Sequence, residues 1–331
     1  MSTTHPPTAH GPQPIPPDPG ESFGSDLLRV YAEMPFGERC ELPELSTEME
    51  AAGRLAHEEI RGRYHGLVVA SRSLFVWFTT VLLLLVFVPI IGIIWITERN
   101  PYHPRTSRWV RLLSRLSTRV NPLIRLHVEG RDVPEPSRTY VLVANHQSLT
   151  DIPLLSHLPL TMKWVAKASL FKVPLLGHLM RWSGDIPVNF RSPNRKAEVM
   201  DPTSAYIERG YNVIFFPEGK RSIDGEINKF YSGAFELAIA TGAPILPIAL
   251  DGLWDFLPVH SWKFGDKRDI HLKILPPIET TGLTVCKEDI AFLREKVRYR
   301  MIDQLAAWRG VPPETIDGLL RESVRSPSGG E

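Results

Sequence analysis

Cysteine is scarce in this sequence: Cys40 and Cys286 are the only two among 331 residues, and they lie far apart. That excludes a disulfide framework, provides no thiolate cage for zinc, and fits a reducing compartment. An excess of charge is also lacking, the formal net charge being +1, so no overall field draws the chain to nucleic acid and no such partner is expected. There is no internal repeat and no G-x-S-x-G elbow. No ligand cluster with metal spacing occurs either, so a serine hydrolase and a metal site both lack their signatures, and no metal is expected. What is abundant is apolar residues, 43% of the chain, enough for the core of one large or two modest domains.

Residues 1–45 begin MSTTHPPTAHGPQPIPPDPGESFGS, a proline-rich polar stretch too poor in apolar area to offset ordering entropy, and are expected to be a disordered extension. From Ser46 the pattern turns helical. Thr47 and Glu50 have capping-box spacing, and the run to about Leu67 reads as a surface or juxtamembrane helix. LFVWFTTVLLLLVFVPIIGIIWI, residues 74–96, then carries no charge. As a helix it is roughly 34 Å long, enough for a hydrocarbon core of about 30 Å. It is too far from the first residue for a secretory signal, so residues 46–100 are expected to hold a helix and a retained membrane segment. Pro89 and Gly92 leave two geometries open, a kinked spanning helix or a re-entrant hairpin. Arginines flank both sides, so orientation is weakly encoded.

Residues 101–125 contain SRWVRLLSRLSTRV, in which Trp109, Leu112, Leu113, Leu116 and Val120 repeat at helical spacing and Arg108, Arg111, Arg115 and Arg119 form a basic side. Such a helix suits an anionic membrane surface. The alternative is a helix packed on the soluble domain with a solvated basic face. From about residue 126 to 280 the texture is α/β: the short apolar runs TYVLVAN, YNVIFFP, APILPIAL and DIHLKIL read as strands alternating with helical or loop stretches, implying a sheet covered by helices. Over residues 281–310, Ile290, Leu293, Val297, Met301, Leu305 and Trp308 make the stripe of a C-terminal helix packing on that sheet. Residues 311–331 read as a short polar tail.

Two stretches carry chemistry. The strand TYVLVAN ends in VANHQSLTDIP, residues 143–153, which places His146 and Asp151 on one strand-to-helix connection. A carboxylate that takes one imidazole N–H fixes the tautomer and leaves the other nitrogen as a base. Among eleven histidines that spacing is a weak signal, and taken alone a structural histidine is the better reading. The second stretch is VIFFPEGKRSIDGEINKFYSGAF, residues 213–235. Gly219 allows close backbone approach, Arg221 offers a planar fork for phosphate, and Lys220 and Ser222 add a charge and a hydroxyl. On its own it reads better as a polar turn than as a site.

Together, NHQSLTD at 145–151 and FPEGKRS at 216–222 resemble the signatures N-H-x-x-x-x-D and F-P-E-G-x-R-S of the glycerolipid acyltransferases typified by 1-acylglycerol-3-phosphate acyltransferase. GDIPVNFR, residues 184–191, resembles the block in which an arginine helps bind the acceptor phosphate, and ILPIAL, 245–250, the apolar block with a central proline. In the family that arginine commonly follows the G-x-I-x-V core by two residues. Here Arg191 comes one later, after Asn189 and Phe190, and Tyr231 and Ser232 stand where a basic residue is frequent.

The resemblance implies a mixed central sheet flanked by helices, with an N-terminal membrane-anchoring segment. It implies His146 as the base and Asp151 as its support. Glu218, Gly219, Lys220, Arg221 and Ser222, with Gly184 and Arg191, would bind substrate. The expected reaction is acyl transfer from acyl-CoA or acyl-carrier protein to a lysophospholipid hydroxyl, giving phosphatidic acid, with no cofactor. The expected setting is a membrane of anionic lipid, the catalytic domain on the cytoplasmic side. Another lysolipid, glycerol 3-phosphate, or a non-catalytic lipid-binding role are the alternatives, and the oligomeric state is not encoded legibly.

Overall fold

The computed structural model describes residues 43–258 and 260–319, with side chains from Gly66 onward. The extension expected over 1–45 lies outside them, except that residues 43–45 already belong to the first helix. That helix, α1 (Pro43–Thr97), runs without interruption through Pro89, so the separate surface helix and membrane segment of the sequence reading are one element and no re-entrant hairpin forms. Gly92 has a packing role: a Cβ there would lie 3.3 Å from the ring of Trp182, which also stacks on Trp95 at 5.6 Å.

The apolar part of α1 is fastened at both ends. Near its start, Phe264 N donates to Ser73 Oγ at 2.8 Å and Trp77 Nε1 to Trp262 O at 2.8 Å. Near its end Ile91 is buried with Leu113 and Leu179. Along the same segment Leu74, Phe78, Leu82, Val86, Ile90 and Ile93 recur at four- and three-residue spacing and remain exposed. The segment Gly66–Thr97 is long and apolar enough to cross a membrane.

Helix α2 (Pro104–Arg119) starts where Glu98 accepts the backbone N–H groups of Arg105 and Thr106 at 2.6 and 2.9 Å, a carboxylate satisfying otherwise orphaned donors at a positive helix end. Pro104 at the first position suits the start of a helix. The expected separation of its faces is corrected in one respect. Arg111 is not solvated but donates to Leu158 O at 2.6 Å, while Trp109 and Val120 stay exposed beside Arg108 and Arg119.

Seven strands follow: β1 (Ile124–Glu129), β2 (Val141–Ala144), β3 (Met162–Lys167), β4 (Ile186–Val188), β5 (Asn212–Phe215), β6 (Ile245–Asp251) and β7 (Arg268–Ile274). They form one mixed sheet in the order β1-β7-β6-β2-β5-β3-β4, parallel throughout except between β6 and β7. Strands β2, β5 and β6 are buried along their whole length, which is why they read as continuous apolar runs. The period of two still sorts them. Val141 and Val143 enter the core under α6 (Gly233–Thr241) and α7 (Lys287–Arg309), while Leu142 and Ala144 face the opposite core with Leu154, Leu155 and Phe256. Each large side chain so buried contributes about 1.5–3 kcal/mol. The remaining helices are α3 (Asp151–Leu155), α4 (Leu176–Ser183) and α5 (Arg195–Glu208).

Leu293, Val297, Met301 and Leu305 of α7 are fully buried. The polar-tail reading is corrected over 311–319. Ile316 and Asp317 are buried, and Asp317 forms a double ion pair with the buried Arg298. The sequence beyond 319 lies outside the described residues.

Candidate active site

Strands β2 and β5 are neighbouring and parallel, with Val143 opposite Phe215. Their C-terminal ends therefore deliver residues 145–151 and 216–222 to the same edge of the sheet, the usual place for a site in a parallel sheet. Asn145 continues the ladder with its side chain. Its amide donates to Leu250 O at 2.9 Å and accepts from Leu250 N at 2.8 Å. Gln147 accepts from Leu253 N at 3.0 Å. The turn between them projects His146 off the strand.

The imidazole is held from three directions. Nδ1 lies 2.7 Å from Asp151 Oδ2, Phe216 stacks on the ring at 4.1 Å and 19°, and the backbone is clasped by the other loop. His146 N donates to Glu218 Oε1 at 2.9 Å, and His146 O accepts from Ser222 N at 2.7 Å. Asp151, fully buried at the first turn of α3, also accepts from Gln147 N at 2.7 Å and Ser148 N at 3.0 Å. With Nδ1 donating to this carboxylate, Nε2 is the basic nitrogen. The His146 side chain is 17% exposed and lines a cavity of about 680 Å³.

Lys220 and Arg221 line the same cavity, as do Lys167, Arg195 and Lys196. Lys196 is paired with Glu236 at 2.5 Å. Lys167, Lys220 and Arg221 enter no ion pair among the described residues, leaving their donors for an anion. Gly219 has φ +67°, and a Cβ there would meet the Tyr231 ring at 2.9 Å, so glycine is required at this turn.

Residues 125–251 match the family model described as Acyltransferase. The chain is 30% identical over 209 residues to the human 1-acyl-sn-glycerol-3-phosphate acyltransferase alpha, covering 62% of this chain and 71% of that one. The chain belongs to the glycerolipid acyltransferase family. It is also 30% identical over 206 residues to the chloroplastic 1-acyl-sn-glycerol-3-phosphate acyltransferase of Arabidopsis thaliana, covering 62% of this chain and 58% of the relative. It spans about half the length of the plant and algal relatives. The crystal structure of the 1-acyl-sn-glycerophosphate acyltransferase of Thermotoga maritima superposes with a TM-score of 0.61 at 25% identity, over 73% of this chain and 98% of that one. The mixed sheet with flanking helices is thus the fold of the family.

Within that fold the residues singled out from sequence separate into three groups. His146, Gly219, Lys220 and Arg221 face the cavity. Asp151, Glu218 and Ser222 lie buried behind it. Glu218 receives His146 N, Asn228 N and Asn228 Nδ2 at 2.9–3.1 Å, and burial raises its pKa against these bonds. The Ser222 hydroxyl is engaged by Asp224 at 2.9 Å. Neither lines the cavity; both belong to the loop that clasps the His146 backbone.

Gly184 and Arg191 also lie outside the cavity lining. Gly184 caps α4 at φ +75°, with its carbonyl accepting from Tyr206 Oη at 2.8 Å. Arg191 is exposed on the loop before α5, its N–H held by Asn189 Oδ1 at 3.1 Å, and it is not among the cavity residues. Arg195, one helical turn on, is there instead, its guanidinium 5.7 Å from the Phe190 ring. Sequence reasoning missed Arg195 and the Phe216 stack, although the displaced arginine after Phe190 signalled that the block had shifted. Among the described residues no cluster of histidine, cysteine and carboxylate could hold a metal ion.

Proposed function

We propose that the protein transfers a fatty acyl group from an acyl-CoA or acyl-carrier-protein thioester to the free hydroxyl of 1-acylglycerol 3-phosphate, giving phosphatidic acid. The observation that carries this reading is the His146–Asp151 pair in one cavity with Arg221 and Lys220. His146 Nε2 takes the hydroxyl proton as the oxygen attacks the thioester carbonyl. The C–O ester bond forms, the C–S bond breaks, and the leaving thiolate receives the proton from the imidazolium. Asp151 stabilises that imidazolium and holds its orientation. A positioned base of this kind contributes about 10²–10⁴-fold, and alignment of hydroxyl and thioester adds to it, so the chemistry requires no cofactor.

Arg221, Lys220 and Arg195 grip the acceptor phosphate, with Arg195 serving in place of Arg191. The anion is best matched by a guanidinium fork. The exposed apolar face of α1 and the amphipathic exposed face of α2 support a membrane setting, where acceptor and product partition. Because α1 is bound to the domain at Ser73 and Trp77 as well as at Ile91, its contacts favour a helix lying in one leaflet over one crossing the bilayer alone. The proposed cavity faces the cytoplasm, where such thioester donors would be supplied.

The test is purified protein with a long-chain acyl-CoA and a panel of lysolipids and glycerol 3-phosphate, read by mass spectrometry. Phosphatidic acid forming with wild type and not with His146→Ala is expected. Turnover of a phosphate-free acceptor at the same rate would overturn the headgroup assignment.

A further inference from the structure

The arginines of α2 share one face because they stand three or four residues apart, but they are not equivalent. Arg111 is turned inward onto the end of α3. Burial pushes its pKa down to about 10, helped by Arg115 and Arg108. Arg115 is half-buried, and its Nε is sealed from solvent without a hydrogen-bond partner. Arg119 is exposed. Facing them is His157, just beyond α3, with Nε2 2.5 Å from Thr118 Oγ1. The Thr118 hydroxyl donates to Arg115 O at 2.9 Å, so Nε2 is the donor in that contact.

Arg131, in the loop after β1, completes the group. Burial first, then Arg119, Arg115 and Arg131, depress the His157 pKa to about 4. Five other arginines, Arg125, Arg138, Arg268, Arg298 and Arg309, each pair with a carboxylate. Among the described residues no carboxylate pairs with Arg115, Arg119 or Arg131, and the adjacent Asp132 forms no ion pair with them. Like charges gathered without a counter-charge repel, and a dianion is the chemistry that offsets them.

We propose that Arg115, Arg119 and Arg131, closed at the back by His157, form a binding site for the phosphate of an anionic membrane lipid, best filled by a phosphomonoester headgroup. A phosphomonoester presents three terminal oxygens and close to two charges, whereas a phosphodiester presents two oxygens and one charge. The ligand comes from the bilayer because the arginines border the exposed Trp109 and Val120, and Trp109 contacts Phe87 of α1 at 6.2 Å. The site therefore adjoins the apolar face that meets lipid. This deepens the membrane part of the proposed function and rests on it. Phosphatidic acid, the proposed product, would then also be the lipid that retains the protein.

The experiment is flotation of full-length protein with phosphatidylcholine vesicles containing phosphatidic acid or phosphatidylglycerol at matched surface charge, without thioester. Wild type is expected to bind the phosphatidic acid vesicles about tenfold more tightly. Arg115→Gln and Arg131→Gln should each remove that preference. Arg108→Gln, on the same face but away from His157, should weaken both vesicle types equally, by about fivefold. Arg131 is exposed, so its variant serves even if Arg115→Gln lowers the melting temperature. Equal affinity of wild type for the two vesicles, or loss of preference in Arg108→Gln, would overturn the site. Release of the protein from vesicles by millimolar inorganic phosphate would assign the site to soluble phosphate and overturn the lipid. Since no acyl transfer takes place in this assay, its outcome is independent of whether His146 is a catalytic base.

Discussion

At the ends of β2 and β5 the charged groups fall into two sets held in opposite ways. The carboxylates and the imidazole are tied down: Asp151 and Glu218 each receive at least three donors, and His146 is fixed through its ring, its N–H and its carbonyl. The cations of the cavity are loose by comparison, with Lys167, Lys220 and Arg221 outside every ion pair among the described residues. Preorganised groups suit a proton transfer that tolerates little displacement, whereas unpaired cations retain their attraction for an incoming phosphate. On the proposed function, this difference would divide the labour of the cavity into reaction and capture.

The strongest way to break this division is to remove the fixed set. His146→Ala and Asp151→Asn are expected to lower kcat by about 10²–10⁴-fold or more, with little change in the acceptor KM. A kcat within a factor of a few of wild type in either variant would show that the proton goes elsewhere. Glu218→Gln comes next. It leaves the cavity lining intact but weakens the clasp on His146 N, and a charged hydrogen bond of this kind is worth about 1.5–3 kcal/mol. The expected loss is about tenfold to a hundredfold in kcat at constant KM, measured by steady-state kinetics. A KM effect alone would instead make Glu218 a ligand.

The loose set should respond in the opposite parameter. Arg221→Ala and Arg195→Ala are expected to raise the KM for the phosphate-bearing acceptor by about tenfold while sparing that for the thioester, and Arg191→Ala should change neither. An effect of Arg191→Ala equal to that of Arg195→Ala would restore the residue that the sequence pattern nominated.

The same contrast explains what could be read without coordinates. His146 and Asp151 were legible through the two motifs taken together and not through their spacing alone, and the buried strands were legible because their apolar runs are continuous. Arg195 was not legible, since the placement of the first residue of α5 is set by the path of the loop before it, and the Asn189 turn that diverts Arg191 leaves no periodic trace. Glu218 and Ser222 were legible as members of a motif, and their burial behind the cavity was not. Their motif reports an association with His146 and not the side on which substrate lies. The continuity of α1 through Pro89 was likewise open, because its packing against Trp182 and the loop bearing Phe264 is long-range.

Lys163 sharpens the comparison from outside the cavity, because it is a cation held as firmly as the carboxylates. Fully buried on β3, it donates to Tyr102 O at 2.6 Å, Ser107 Oγ at 2.7 Å and Ser183 O at 2.5 Å, joining the approach to α2, α2 itself and α4. Burial depresses its pKa to about 8, against the pull of Asp185 and Glu98. Burial also raises that of Asp185 from 3.8 to about 6, against bonds from Ser183 and Trp164 and the charge of Lys163. The two act in opposite directions. A raised carboxyl pKa adds stability that is complete below pH 3.8 and lost as pH rises through about 6; a depressed ammonium pKa adds stability that is complete above pH 10.5 and lost as pH falls through about 8. Asp185→Asn should therefore remove a fall in stability between about pH 4 and pH 6, on the order of 2 kcal/mol, seen as a melting-temperature difference of a few degrees between variant and wild type that changes across that window. Parallel melting curves over the window would mean that Asp185 exchanges its proton as it does in the unfolded chain, and that the charges joining α2 to the sheet are as open to water as those of the cavity.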